Sequence, residues 1–160
     1  MTLELVGKRE ESALHDSTAG RLSRVAEPGL ALFAYGTLQF PEVLMRLIGR
    51  CPDLAPARVP DWRVAALPGR VYPGLVPAPG ATAVGKLVTG LSEREWAVLD
   101  AFEDDEYELL PVEPEGVSGI VLTYVWTAEV DEHDWRAEEF DAELLADFLA
   151  RYTHGQLAPP

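Results

Sequence analysis

Apolar positions along this chain change their spacing several times, and each change marks an element. Residues Met1 to Pro28 mix both signs of charge with Ser, Thr and Gly and hold no sustained period. They read as a flexible extension, dispensable for chemistry. The run Ala31-Leu32-Phe33-Ala34-Tyr35 is short and continuous, as expected of one buried strand, and it stops at Gly36. Pro41 suits the first position of a helix, whose face carries Val43, Leu44, Leu47 and Ile48 before Gly49 ends it. Between Ala57 and Leu67 the apolar residues are broken by Pro60, which places a strand start near Trp62. Pro68 to Gly80 holds four prolines and three glycines and reads as turns. Val84 to Val88 reads as a strand, with Gly85 marking a bulge or a close approach.

Ser92 followed by Glu95 writes a capping box, and Leu91 with Trp96 writes a hydrophobic staple. The helix they open presents Trp96, Leu99 and Phe102 to the core and ends near Phe102. Tyr107 to Val112 and Gly119 to Thr127 predict two strands. In the second, Ile120, Leu122, Tyr124 and Trp126 alternate with Val121, Thr123 and Val125, so both faces are apolar. That pattern belongs to a central strand or a small closed sheet. Phe140, Leu144, Phe148 and Tyr152 recur every four residues, beside Leu145 and Leu149, and predict an amphipathic helix whose acids face water.

At 160 residues the chain suits one domain, assigned to residues 29–155 after the extension at 1–28. The formal net charge of −14 argues against nucleic acid and anionic membrane surfaces as partners. One cysteine, Cys51, and three scattered histidines give no ligand spacing, so no metal and no Cys-His pair are expected. No apolar run is long enough to span a bilayer, and no signal peptide is written, which makes the cytoplasm the expected compartment.

Two stretches carry candidate chemistry. A strand ending at Gly36 that hands over to a helix leaves the N–H groups of Gly36, Thr37 and Leu38 facing open space, where they can hold a carboxylate or an oxyanion. In the second stretch, five of the six residues from Glu103 to Glu108 are acidic. Like charges and burial both raise a carboxyl's pKa. Glu103 directly follows Phe102, so it is the acid expected to turn inward, suited to accepting and returning a proton near neutral pH. Taken singly, each stretch is equally a plain connection: a strand-turn-helix link and an acidic turn.

Together, Phe33-Ala34-Tyr35-Gly36-Thr37-Leu38 and Leu99-Asp100-Ala101-Phe102-Glu103 with Tyr107 resemble the gamma-glutamylcyclotransferase-like superfamily. The likeness is nearest to its small gamma-glutamylamine cyclotransferase-like members. Tyr72-Pro73, Gly85 and the Tyr124 strand fall in the same order, and the likeness runs from Leu30 to Thr127. The resemblance implies an α/β (α+β) fold, a small mixed β-barrel with flanking helices, and no cofactor. It implies cyclisation of a gamma-glutamyl amine, peptide or metabolite to 5-oxoproline with release of an amine, Glu103 moving the proton. It also makes Tyr35, Gly36, Thr37, Leu38, Tyr72 and Tyr107 the substrate-binding residues, and implies a small-molecule partner and a monomer or weak homodimer.

Two positions depart from the family pattern. Asp104 stands where a glycine often follows the glutamate, and Leu109 where a basic residue is common. They sustain an alternative, a binding protein that keeps the pocket without turnover. A third reading takes the acidic C-terminal helix as a protein-interaction surface.

Overall fold

The computed structural model describes residues 21–22, 30–140, 145–147, 150, 152–153 and 156–157. Five strands form one sheet in the order β2-β3-β1-β5-β4: β1 (Ala31–Ala34), β2 (Asp53–Ala66), β3 (Pro73–Thr89), β4 (Tyr107–Val112) and β5 (Val121–Trp126). Among the described residues, α1 (Pro41–Ile48) and α2 (Glu93–Phe102) flank it. The α+β class is as expected. The closed barrel is not: β2 and β4 remain the two edges. A hydrogen bond from Glu115 N to Arg58 O, 2.8 Å, links the chain beyond β4 to β2 without strand pairing.

β1 and β5 run parallel at the centre, Leu32 opposite Leu122, and β3 lies antiparallel to β1 with Phe33 opposite Leu87. Each central strand is buried on both faces, as its unbroken apolar run requires. One face carries Leu32, Leu122, Tyr124 and Trp126 with Leu44, Trp96 and Leu99. The other carries Phe33, Leu75, Val121 and Val125 with Val59. Ile120, expected in β5, is exposed and precedes it.

The sequence reading was shortest at β2 and β3. Instead of a strand starting near Trp62 and a run of turns from Pro68 to Gly80, the two strands form a long antiparallel ribbon. β2 is an edge strand and much of β3 pairs only with it, the kind of position where a strand tolerates proline. The register slips between Pro60 and Trp62, where Asp61 adopts φ 69° and its side chain accepts a hydrogen bond from Gly80 N at 3.0 Å. Gly85 meets its expected role. A Cβ there would collide with Ala34 O and come within 2.9 Å of Tyr35 Cα, so glycine is what lets β3 press against β1.

Both helices begin and end as written. Glu95 N donates to Ser92 Oγ at 3.1 Å, and Ser92 N donates to Glu95 Oε1 at 3.0 Å. Leu91 and Trp96 lie in one apolar cluster, and α2 stops at Phe102. Gly49 ends α1 at φ 79°.

The C-terminal acidic stretch departs from the expected helix. Residues 131–135 lie beside β2 through one isolated bridge, Asp134 to Ala65, with Ala66 N donating to His133 O and Trp135 N donating to Val64 O, and a short 3-10 turn follows at Ala137–Glu139. Residues 145–147 and 150 are helical, but Tyr152–Thr153 pairs with Gln156–Leu157 as a small hairpin, β6 and β7. Of the period-four positions, Phe140 follows the 3-10 turn and Tyr152 stands in the hairpin. Leu144, Phe148 and Leu149 fall outside the described residues, as does nearly all of the expected 1–28 extension. Within that extension Arg21 and Leu22 are described, and both pack onto the domain.

Candidate functional site

β1 ends at the mouth of a pocket, and the 3-10 turn Thr37–Gln39 forms one wall of it. The turn's own bonds begin with Gln39 N to Gly36 O and Phe40 N to Thr37 O. Those bonds use none of the earlier N–H groups in the turn, which is the ordinary state of a helical start. Gly36 is needed here because Pro73 packs over it; a Cβ would stand 2.8 Å from Pro73 Cγ. The opposite wall is the end of α2, with Phe102, Glu103 and Asp104. Tyr72 and Pro73 enter from the start of β3, Tyr107 from β4 and Tyr124 from β5. The enclosed part of this space is small, about 70 Å³, and it opens to solvent at its mouth.

All seven residues singled out from sequence line this one pocket: Glu103, Tyr35, Gly36, Thr37, Leu38, Tyr72 and Tyr107. Three tyrosines have their hydroxyls engaged. Tyr35 donates to Tyr124 O at 2.6 Å, Tyr107 donates to Pro73 O at 2.6 Å, and Tyr72 donates to Asp104 Oδ2 at 2.8 Å. The first two bind strand to strand and brace the walls. Burial raises all three phenols, Tyr72 to about 12 with help from its bond to Asp104, so they stay protonated donors.

Glu103 borders the open space and keeps some solvent contact there, while protein surrounds its carboxyl closely. Desolvation pushes its pKa up to about 8; Arg21 pulls the other way, and Asp104 and Asp100 add to the rise. The expectation that the helix end would draw this acid inward is met in position. Burial, more than the crowd of acids, sets its proton affinity.

Sequence reasoning missed a second layer behind Glu103. Asp100 is wholly buried, accepts a hydrogen bond from Tyr124 OH at 2.7 Å, and faces Arg21 Nε at 3.1 Å. A signal for Asp100 existed: it lies four residues after Trp96, on the buried face of α2. Arg21 carries no such signal, being 79 residues from its partner with no period around it. Leu109, the second departure from the family pattern, is a core residue and not a pocket wall. Asp104 does line the pocket, where its carboxylate takes the Tyr72 hydrogen bond. No cluster of three or more metal-ligating side chains occurs among the described residues.

The profile of the family "Gamma-glutamyl cyclotransferase, AIG2-like" matches residues 32–141. The chain belongs to this family. The matched span begins in β1 and takes in every pocket residue. Among relatives, AIG2-like protein D of Arabidopsis thaliana is 35% identical over 128 residues, covering 74% of this chain and 84% of that one. AIG2-like protein C of the same plant is 36% identical over 125 residues, covering 74% and 73%. A solution structure of an Arabidopsis thaliana protein superposes with TM-score 0.60 at 30% identity, covering 78% of this chain and 89% of its own. An uncharacterized protein of Pyrococcus horikoshii has TM-score 0.54 at 14% identity, covering 74% and 95%, and shares the fold.

Proposed function

We propose that this protein is a cofactor-independent cyclotransferase that closes a gamma-glutamyl group on itself, releasing 5-oxoproline and a free amine. One observation carries the reading: a single pocket joins the Glu103 carboxyl to the turn Gly36–Leu38, as the family membership leads one to expect.

The reaction asks little of the protein beyond placement and proton transfer. The substrate's α-amine nitrogen attacks its own γ-carbonyl carbon, a new N–C bond forms, and the C–N bond to the leaving amine breaks. The nucleophile is already in the molecule, so a pocket that holds the chain bent supplies proximity, worth roughly 7–11 kcal/mol at best. Glu103, ionised, takes the proton from the attacking nitrogen and returns it to the departing one, so no net proton is gained or lost. Backbone N–H groups of Gly36 to Leu38 hold the carboxylate or the tetrahedral oxyanion. A carboxyl with a pKa of about 8 is close enough to neutrality to serve in both directions.

The test is 5-oxoproline release, by mass spectrometry, from a panel of gamma-glutamyl amines, gamma-glutamyl dipeptides and glutathione. Product from one class, lost by about 10²-fold or more in Glu103→Gln, is the expected result. Full activity in that variant would remove Glu103 from the chemistry. A second reading, a pocket that binds without turnover, draws on the Tyr72–Asp104 hydrogen bond spanning two pocket walls. Saturable binding of a gamma-glutamyl compound with no product would favour it.

A further inference from the structure

Arg21 precedes the matched family span, which begins at residue 32, yet its side chain is buried against the end of α2. Its Nη1 donates to Asp104 O at 2.6 Å and Tyr107 O at 3.2 Å. Its Nη2 donates to Asp100 O at 2.9 Å and Glu103 O at 3.3 Å, and reaches Asp100 Oδ2 at 3.4 Å. One guanidinium thus gathers four carbonyls from Asp100 through Tyr107. The last carbonyls of a helix have no partner within it, and that end is the negative pole of its dipole. The last turn of α2 carries no basic residue of its own. Asp100 O also accepts from Glu103 N and Asp104 O from Tyr107 N, both at 3.2 Å, so the guanidinium adds donors to the turn that follows the helix and brings a positive charge to the helix end.

We propose that Arg21 is a positioning residue of the site: its guanidinium fixes the turn from Asp100 to Tyr107 and so sets where the Glu103 carboxyl stands in the pocket. The guanidinium is suited to this because its five donors lie in one rigid fork. Asp100 neutralises it, Tyr124 OH holds Asp100, and the Arg21 guanidinium lies 5.5 Å from the Tyr124 ring centroid. Tyr124 also lines the pocket, so the arrangement ties the helix end to β5 across the site. A segment that precedes the family domain therefore completes the site from behind.

The inference rests on Glu103 being the proton-transfer group, and its test separates the two. Among the described residues, the groups facing Glu103 are Arg21 from the N-terminal segment, Asp100 and Asp104 around the helix end, Tyr35 after β1, Tyr107 on β4 and Tyr124 on β5. Of these, Arg21 is the cation. The experiment follows the Glu103 side-chain carboxyl by ¹³C NMR against pH in the full chain, with Arg21→Met and Arg21→Lys, and measures kcat and KM in parallel. In Arg21→Met the midpoint is expected to rise by about one pH unit, with kcat falling at least about tenfold and KM little changed. Arg21→Lys keeps the charge and loses the fork, so its midpoint stays near that of the parent while kcat falls and the Asp100–Tyr107 amide signals shift. If Arg21→Met does not fold, Arg21→Lys decides: parental kcat with unmoved amide signals overturns the proposal. An unmoved midpoint in a folded Arg21→Met overturns it as well. A raised midpoint in a protein that makes no 5-oxoproline from any substrate would sink the cyclotransferase reading and leave the placement of the turn by Arg21 standing.

Discussion

Glu103 ties stability to pH in a direction opposite to that of most carboxylates. Its folded pKa, about 8, lies above the ordinary 4.5, so the native state keeps a proton that the unfolded chain gives up. That contribution is full below pH 4.5 and is lost as pH rises through 8. Glu103→Gln cannot ionise, so its melting temperature is expected to exceed that of the parent by a margin that widens from about pH 5 to about pH 9. A constant margin across that range would show that the carboxyl titrates normally. The same ionisation predicts that kcat/KM for any gamma-glutamyl substrate rises with pH toward a plateau above about 8, and a rate that falls over that range would mean the protonated form is the active one. At Tyr72, loss of the hydroxyl in Tyr72→Phe breaks the bond to Asp104 and frees a carboxylate in the pocket. A threefold to tenfold rise in KM is expected, about 1 kcal/mol, in the range of one hydrogen bond; an unchanged KM would separate that bond from substrate binding.

At the scale of elements, Gly85 joins the fold to the site. It lets β3 press against the end of β1, from which the Gly36–Leu38 turn departs. Gly85→Ala would drive a methyl into backbone atoms of Ala34 and Tyr35, which cannot swing away as a side chain can. A loss of about 2–3 kcal/mol is expected in urea titration, whereas Ser92→Ala, which removes the α2 cap, is expected to cost about 1 kcal/mol. If the two variants cost the same, the strand contact is looser than its geometry requires. The ends of α2 were legible because a capping box and a final Phe102 are local features. The β2–β3 ribbon was not, since prolines read as breakers wherever a strand's exposed edge cannot be foreseen.

For the whole molecule, the chain after β5 belongs to the structure of the domain. Trp135 Nε1 donates to Val71 O at 2.7 Å, just before Tyr72, and Phe140 packs its ring 5.3 Å from that of Phe40. Phe140 is 3% exposed, so Phe140→Ala is expected to cost about 3–5 kcal/mol, read as a lower urea midpoint. Ending the chain at Thr127 is expected to abolish cooperative unfolding. A truncated chain that still melts cooperatively would show that the domain folds without this stretch.

The sequence by itself determined what is local or repeats with a short period. It fixed β1 and β5 as buried strands, both ends of α1 and α2, and the two stretches that line the pocket. Glu103 was legible for the same reason, being the first acid after a helix that buries Trp96 and Leu99. Tertiary structure alone decided three things. It left the sheet open, because closure depends on whether two edges meet, and no single strand encodes that. It placed Phe140 just after a 3-10 turn and Tyr152 in a hairpin, two members of one period-four run, because equal spacing does not say which surface each residue will find. And it brought Arg21 to Asp100 and the carbonyls behind Glu103, a contact across some eighty residues that rests on charge and burial, which leave no periodic trace in the chain.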